Sequence, residues 1–213
     1  LLNPFALLAG VVSLTMLLAH GGAWLTLKTE GPVQRRAMAI GSVAGLVAIL
    51  AYALAGVWLA YGIPAYQIVT EVPANGPSNP LLSDVVRGGS WLAAYGARPW
   101  IIVAPVLGIL GMALALVTMR RGMGVSLIFS GVSIFGVIAS VGLTMFPFIL
   151  PSSIQPSASL TVWDSSSSHQ TLFVMLVVSV IFVPAILAYT AWVYKVLWGK
   201  VTEDEVTENQ NAY

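Results

Sequence analysis

There is no cysteine in this 213-residue chain. Disulfides, iron–sulfur clusters and thiolate metal sites are therefore excluded, and the redox compartment leaves no mark on the sequence. Charge is nearly as scarce. Asp, Glu, Lys and Arg together make 8% of the residues, against roughly 25% in an average soluble domain. The net charge of +1 points to neither an acidic nor a basic partner and leaves no basis for nucleic-acid binding. Also missing are a glycine-rich phosphate loop, a nucleophile–base pair, a His or acid cluster at metal-ligand spacing, and any internal repeat.

What is present is apolar. Hydrophobic residues make 58% of the chain, and mean hydropathy is +0.89. A water-soluble fold of this length could not hide so much apolar surface, so lipid must be the solvent for most of it. Five runs are long enough to span a hydrocarbon core of about 30 Å, which takes roughly 20 helical residues. They lie at 4–27, 36–61, 98–119, 123–148 and 170–197. In lipid the backbone must satisfy its own hydrogen bonds, so the runs should be helices, and the short alternating segments of a barrel are missing. The chain therefore reads as an all-α polytopic membrane protein with five transmembrane helices. Residues 1–199 form its membrane domain and 200–213 an acidic cytoplasmic tail, which its composition predicts to be disordered.

Local signals mark the ends of the runs. Asn3-Pro4 reads as a cap and first helical residue. Gly31-Pro32 breaks the chain after the first run. Arg120-Arg121-Gly122 makes a tight turn that forces the third and fourth helices to be antiparallel neighbours. The serines from Ser165 to Ser168 offer a cap for the fifth. Pro105 and Pro184 lie inside runs and should kink them. In the connection 62–97, the stretch from Asn79 to Arg87 reads as a short amphipathic helix. Leu81, Leu82, Val85 and Val86 would form its apolar side, and Gly88-Gly89 its stop. Trp91, Tyr95 and Trp100 fit an interfacial aromatic belt.

Orientation follows from Lys and Arg. Lys28, Arg35, Arg36, Arg120, Arg121, Lys195 and Lys200 fall on one side, and only Arg87 and Arg98 on the other. The first group should be cytoplasmic. The connections 62–97 and 149–169 and the N-terminal end should face outward, and the C-terminus inward. An outward end with no initiator Met, so close to a span, needs something to have carried it across. The expectation is that the chain is the C-terminal part of a longer protein.

Few residues carry candidate chemistry. Two histidines, His20 and His169, raise the question of a shared haem. His20 lies 17 residues after Asn3, about 25 Å along a helix at 1.5 Å per residue, whereas His169 opens the fifth span. The rings then lie near opposite faces and cannot ligate one iron. A hydrogen bond at a helix–helix contact is the expected role for His20, and an interfacial or capping role for His169. No Asp, Glu, Lys or Arg falls within a run, which argues against an ion path through this segment alone. Of the acids in the connections, for which a solvated carboxylate is the default, Asp164 stands out because it follows Trp163 and precedes four serines. In the fourth run, Ser126, Ser130, Ser133, Ser140 and Thr144 fall within about 80° of one another on a helical wheel. Such a stripe can line a water path, but it more often forms a close packing face. Ala37, Gly41 and Gly45 repeat the small-residue spacing in the second run. The candidate residues for structural or interface roles are thus His20, Ser133, Ser140, Trp163 and Asp164. No catalytic, cofactor-binding or metal-binding residue is assigned.

Several ordered landmarks resemble one family. They are the opening Leu2-Asn-Pro-Phe-Ala-Leu-Leu-Ala-Gly-Val-Val, then Ala53-Leu-Ala-Gly-Val-Trp, Tyr61-Gly-Ile, Asn79-Pro-Leu, Met145-Phe-Pro-Phe, Ser159-Leu-Thr-Val-Trp-Asp and Tyr189-Thr-Ala-Trp. Together they resemble subunit II of cytochrome bd-type quinol oxidases, from Leu2 to about Trp198. The resemblance implies a multi-pass bacterial inner-membrane protein in which this chain is the second four-helix bundle plus one peripheral helix. It implies a heterodimeric respiratory complex that oxidises quinol and reduces O2 to water. It further implies that the b- and d-type haems belong to the partner subunit I, and that subunit II is a haem-free support for its assembly and stability. The implied partners are that haem-bearing subunit, the N-terminal half of the same subunit, membrane lipid and the quinol pool. The competing class is a half or subunit of a secondary membrane transporter, for which Pro105 and Pro184 offer weak helix breaks.

Overall fold

The computed structural model describes residues 3–70, 79 and 82–200. Among them are five helices long and apolar enough to cross a membrane. Four are α1 (Pro4–Lys28), α2 (Gly31–Gly62), α4 (Val103–Arg120, preceded by a 3-10 turn from Pro99) and α5 (Ser126–Met145). The fifth is α7 (His169–Val196). Two short helices, α3 (Ala93–Ala97) and α6 (Val162–Ser165), lie in the connections. So do two hairpins, β1 (Tyr66–Ile68) with β2 (Val85–Arg87), and β3 (Phe148–Leu150) with β4 (Leu160–Thr161). The described residues divide into two compact units, one built from those within 1–63 and 91–144 and the other from those within 64–90 and 145–199.

The helix ends follow from local chemistry. Asn3 caps α1, its side chain accepting from the Phe5 amide at 2.7 Å, with Pro4 in the first turn. Only Thr29 and Glu30 separate α1 from α2, because Gly31 adopts φ +64° and starts the next helix at once. The second helix thus begins at Gly31 rather than at 36. After α4, the amides of Gly122 and Met123 return to the carbonyls of Met119 and Thr118, with Gly122 at φ +68°. That is a Schellman closure, and it makes the turn to α5 as tight as the sequence predicts. Helix α5 ends at Met145 rather than at 148, because the residue before Pro147 avoids helical backbone. Ser168 caps α7, accepting from the Thr171 amide. Pro105 falls in the first turn of α4, where a missing amide costs little, while Pro184 lies well inside α7.

In the first unit α1, α2, α4 and α5 pack through small residues. A Cβ on Gly22 would meet Gly41 Cα at 2.7 Å, and one on Gly45 would meet a Leu116 methyl at 2.5 Å. One on Gly111 would meet the Ser133 amide nitrogen at 2.9 Å. Without a hydrophobic force between helices in lipid, such close approach supplies the dispersion contacts that hold a bundle together. Met16, Ala19, Ala44, Ala48, Met112 and Ala115 form the buried cluster at its centre. Leu14, Ile40, Leu50, Ile128 and Phe135 turn outward, each about 60% exposed or more, as side chains solvated by lipid tails should be.

In the second unit the antiparallel pairing runs Tyr66↔Arg87, Gln67↔Val86 and Ile68↔Val85. The amphipathic helix expected over 79–87 is therefore replaced at 85–87 by a strand; residues 80 and 81 lie outside the described set. The physical reason is the period. Val85 is buried and its β-branched neighbour Val86 exposed, an alternation of two that suits a hairpin. The acidic tail beyond residue 200 also lies outside the described residues. Of the three aromatic residues expected at the interface, Trp100 is exposed but Trp91 is buried. No residue of α7 is buried.

Candidate functional site

Two polar clusters, one in each unit, contain all five residues singled out by the sequence. The first runs along α5. Ser126, Ser130, Ser133, Ser140 and Thr144 are all buried, and four of them reach other elements. Ser130 Oγ donates to the Leu127 carbonyl at 2.9 Å and lies 2.8 Å from His20 Nδ1 on α1. Its one proton is thereby used, so His20 donates through Nδ1–H. Ser133 Oγ donates to the Gly108 carbonyl of α4 at 2.6 Å. Ser140 Oγ donates to the Val137 carbonyl at 2.7 Å, so Tyr52 on α2 donates to Ser140, at 2.6 Å. Tyr95 Oη on α3 lies 3.0 Å from Thr144 Oγ1. The Ser126 hydroxyl has no hydrogen-bond partner among the described residues.

The stripe therefore meets a different helix at each level. Where Ser133 and Gly136 face α4, the backbones nearly touch: a Cβ on Gly136 would lie 2.4 Å from the Gly108 amide nitrogen. A bulky residue at Ser133 has no room. We expect Ser133→Leu to reduce assembled protein, at a cost of about 1–3 kcal/mol for overpacking. Ser133→Ala should be mild, since hydrogen bonds within membranes average about 0.6 kcal/mol. Yield and thermal midpoint of the purified protein check both. An Ala variant that assembles normally but loses turnover would point instead to a water or proton path.

The second cluster closes on Asp164, which is fully buried rather than solvated. Its Oδ1 accepts from the Thr161 amide at 3.0 Å, the Thr161 hydroxyl at 2.7 Å and the Ser165 hydroxyl at 2.9 Å. Its Oδ2 accepts from the Ser83 hydroxyl. Thr161 and Asp164 thus form a capping box around α6. Burial alone would push the Asp164 carboxyl up; the donors from Thr161 and Ser165 outweigh it and hold the carboxyl below the ordinary value. Trp163, half-buried, stands edge-on to Phe146 with ring centroids 5.6 Å apart.

Sequence reasoning missed the partners. Tyr52 carries a signal: a tyrosine inside an apolar run needs a partner for its hydroxyl. The Thr161-x-x-Asp164 spacing is a second. Ser83 carries none, because 81 residues separate it from the acid it binds. Neither cluster fits a haem. His20 is tied to Ser130 by a 2.8 Å contact between α1 and α5. His169 is an exposed first residue of α7. Among the described residues, no group of three or more His, Asp or Glu side chains is placed to hold a metal ion.

The model of cytochrome bd terminal oxidase subunit II matches residues 1–197. The chain belongs to this family. Over 214 aligned residues it is 41% identical to the cytochrome bd-I ubiquinol oxidase subunit 2 of Escherichia coli, covering all of this chain and 56% of that protein. It is 37% identical to the probable cytochrome oxidase subunit 2 of Haemophilus influenzae, with the same coverage. The Bacillus subtilis cytochrome bd ubiquinol oxidase subunit 2 is 23% identical over 96% of the chain and 52% of its own length. The chain spans about half the length of the curated relatives it matches. Bacterial subunit II relatives and five spanning-length helices make it a multi-pass membrane protein.

Proposed function

We propose that this chain acts within a haem-bearing terminal oxidase that oxidises quinol and reduces O2 to water, as the part of subunit II that supports the haem-bearing subunit I without itself holding haem. The observation that carries the reading is the family match along residues 1–197, together with the identity to an E. coli ubiquinol oxidase subunit. The haem-free part is supported by the packing around His20, whose ring is bonded to Ser130. In this reading residues 1–199 serve as the membrane domain. His20, Ser133 and Ser140 hold helices together, and Trp163 and Asp164 shape an outer connection.

The test is to express the full-length subunit with and without its haem-bearing neighbour and to record reduced-minus-oxidised spectra and quinol-driven oxygen uptake. We expect haem and activity only with the neighbour. His20→Gln and His169→Gln should each leave the haem bands of the assembled complex in place. Full haem content in the subunit purified alone, or the loss of one band in either variant at normal yield, would overturn the haem-free role. Purification without any haem partner would favour the transporter alternative.

We also propose the orientation set by the basic residues. A single cysteine at Gly122 should react with an impermeant thiol reagent only from the cytoplasmic side, and one at Ser157 only from outside. Labelling of the Ser157→Cys variant from the cytoplasm would reverse the assignment.

A further inference from the structure

The connection from α5 to α7, residues 146–168, differs from a water-facing loop in three respects. It begins and ends where helices of membrane-spanning length stop, so both of its ends lie at a membrane surface. No charged residue occurs from Met145 to Trp163. Its large aliphatic side chains are left outside: Ile149 is 52% exposed, Leu150 62% and Ile154 95%. An irregularity in the pairing of β3 between Phe148 and Leu150 breaks the alternation of the strand. Phe148 is buried, but both side chains after it are exposed. Three such side chains within six residues are the kind of exposure that marks a protein or membrane contact.

The polar groups of the loop favour the membrane. A segment that enters the boundary of a bilayer has to satisfy its own amides, because hydrocarbon offers them no partner. The Ser152 amide donates to the Ser159 hydroxyl at 2.9 Å, and the Gln155 amide to the Ser152 hydroxyl at 3.2 Å. The amides of Ala158 and Ser159 donate to the carbonyls of Gln155 and Pro156. Pro147, Pro151 and Pro156 have no amide to satisfy. Beside Ile154, the Ser153 carbonyl accepts from the guanidinium of Arg87. Arg87 has no carboxylate partner among the described residues. Aliphatic side chains next to an unneutralised guanidinium match the layering of a leaflet, acyl chains below and phosphates above.

We propose that this connection is an interfacial anchor: Ile149, Leu150 and Ile154 insert among the acyl chains of the adjoining leaflet, with the Arg87 guanidinium at the level of the lipid phosphates. The partner is the lipid surface itself. The anchor rests on the spanning helices and on local geometry. It depends neither on the oxidase reading nor on which face of the membrane is outward.

A single cysteine at Ile154 tests it, in a chain that has none of its own. The Ile154→Cys variant of the full-length protein, with the subunits that co-purify, carries a nitroxide in vesicles of phosphatidylcholine and phosphatidylglycerol. Power-saturation EPR compares collision with O2, which concentrates in the bilayer, and with a nickel chelate that stays in water. The ratio of O2 to nickel access should exceed, several-fold, that of an Arg121→Cys control in the exposed turn after α4. It should approach that of Phe135→Cys on the outward face of α5. Leu150→Cys should behave like Ile154→Cys, and it decides the matter if the latter does not assemble. Nickel access equal to that of the Arg121 control would overturn the anchor in favour of a water-facing loop. A label reached by neither reagent would overturn it as well, because protein rather than lipid would then cover this face.

Discussion

Replacing Gly136 by alanine should cost the protein about 3 kcal/mol of stability, near the upper end of what overpacking a well-fitted contact usually costs. A Cβ at this position would lie 2.4 Å from the Gly108 amide nitrogen, 2.7 Å from the Ala104 carbonyl oxygen and 2.9 Å from the Leu107 carbonyl carbon. All three are backbone atoms, so no side chain can rotate away, and α4 and α5 must move apart. Separation also stretches the 2.6 Å bond from Ser133 to the Gly108 carbonyl and the fit of Gly111 against Ser133. Gly142→Ala is the control. It lies on the same helix, but its Cβ would meet nothing within 4 Å. Alanine is the better helix former by up to about 1 kcal/mol, so that variant should lose no stability. Unfolding of the full-length protein, followed by steric trapping or by thermal midpoint, separates the two. Equal behaviour would mean that α4 and α5 can part at no cost.

That contrast between two glycines of one helix shows what a sequence can and cannot carry. The apolar runs, their caps at Asn3 and Ser168 and the turn at Gly122 are local, and each was legible because a few neighbouring residues determine it. The hydroxyl face of α5 was legible for the same reason, since the helical period alone puts Ser126, Ser130, Ser133, Ser140 and Thr144 on one side. Which helix each hydroxyl meets was not. Tyr52 lies 88 residues from Ser140 and His20 lies 110 from Ser130, and no local pattern fixes such pairings. The strand at Val85–Arg87 escaped because three residues are too few to separate a period of two from one of 3.6. A solvated carboxylate is the default for an acid in a connection; the neighbouring Trp163 and four serines mark Asp164 as an exception but do not say what it meets. Its burial depends on Ser83 arriving from another connection.

Asp164 is also where the second large effect is expected. Its carboxylate satisfies four donors: the Thr161 amide and the hydroxyls of Thr161, Ser165 and Ser83. Asp164→Ala removes every acceptor at once. The three hydroxyls can rotate toward other partners, but the Thr161 amide cannot, and α6 loses its capping box. Hydrogen bonds to a charged group are worth about 1.5–3 kcal/mol each, and orphaned buried donors add their desolvation cost. We therefore expect a loss of about 3–4 kcal/mol, local to the unit formed by 64–90 and 145–199. Asp164→Asn keeps one acceptor and the volume, so it should fall between wild type and Ala. The charge has its own signature. The folded-state carboxyl sits below its ordinary value, so its contribution is complete above the unfolded-state pKa of about 3.9. That contribution is lost as pH falls through the lower, folded-state value. Stability of the wild type should thus decline below about pH 4 more steeply than that of Asp164→Asn, while at neutral pH the order is wild type, Asn, Ala. Hydrogen exchange of the 159–166 segment across this range, in the full-length protein, reads both effects. An Asn variant with the same acid limb as wild type would show that the fold does not hold the Asp164 carboxyl below its ordinary value, and that its donors do not favour the charged form.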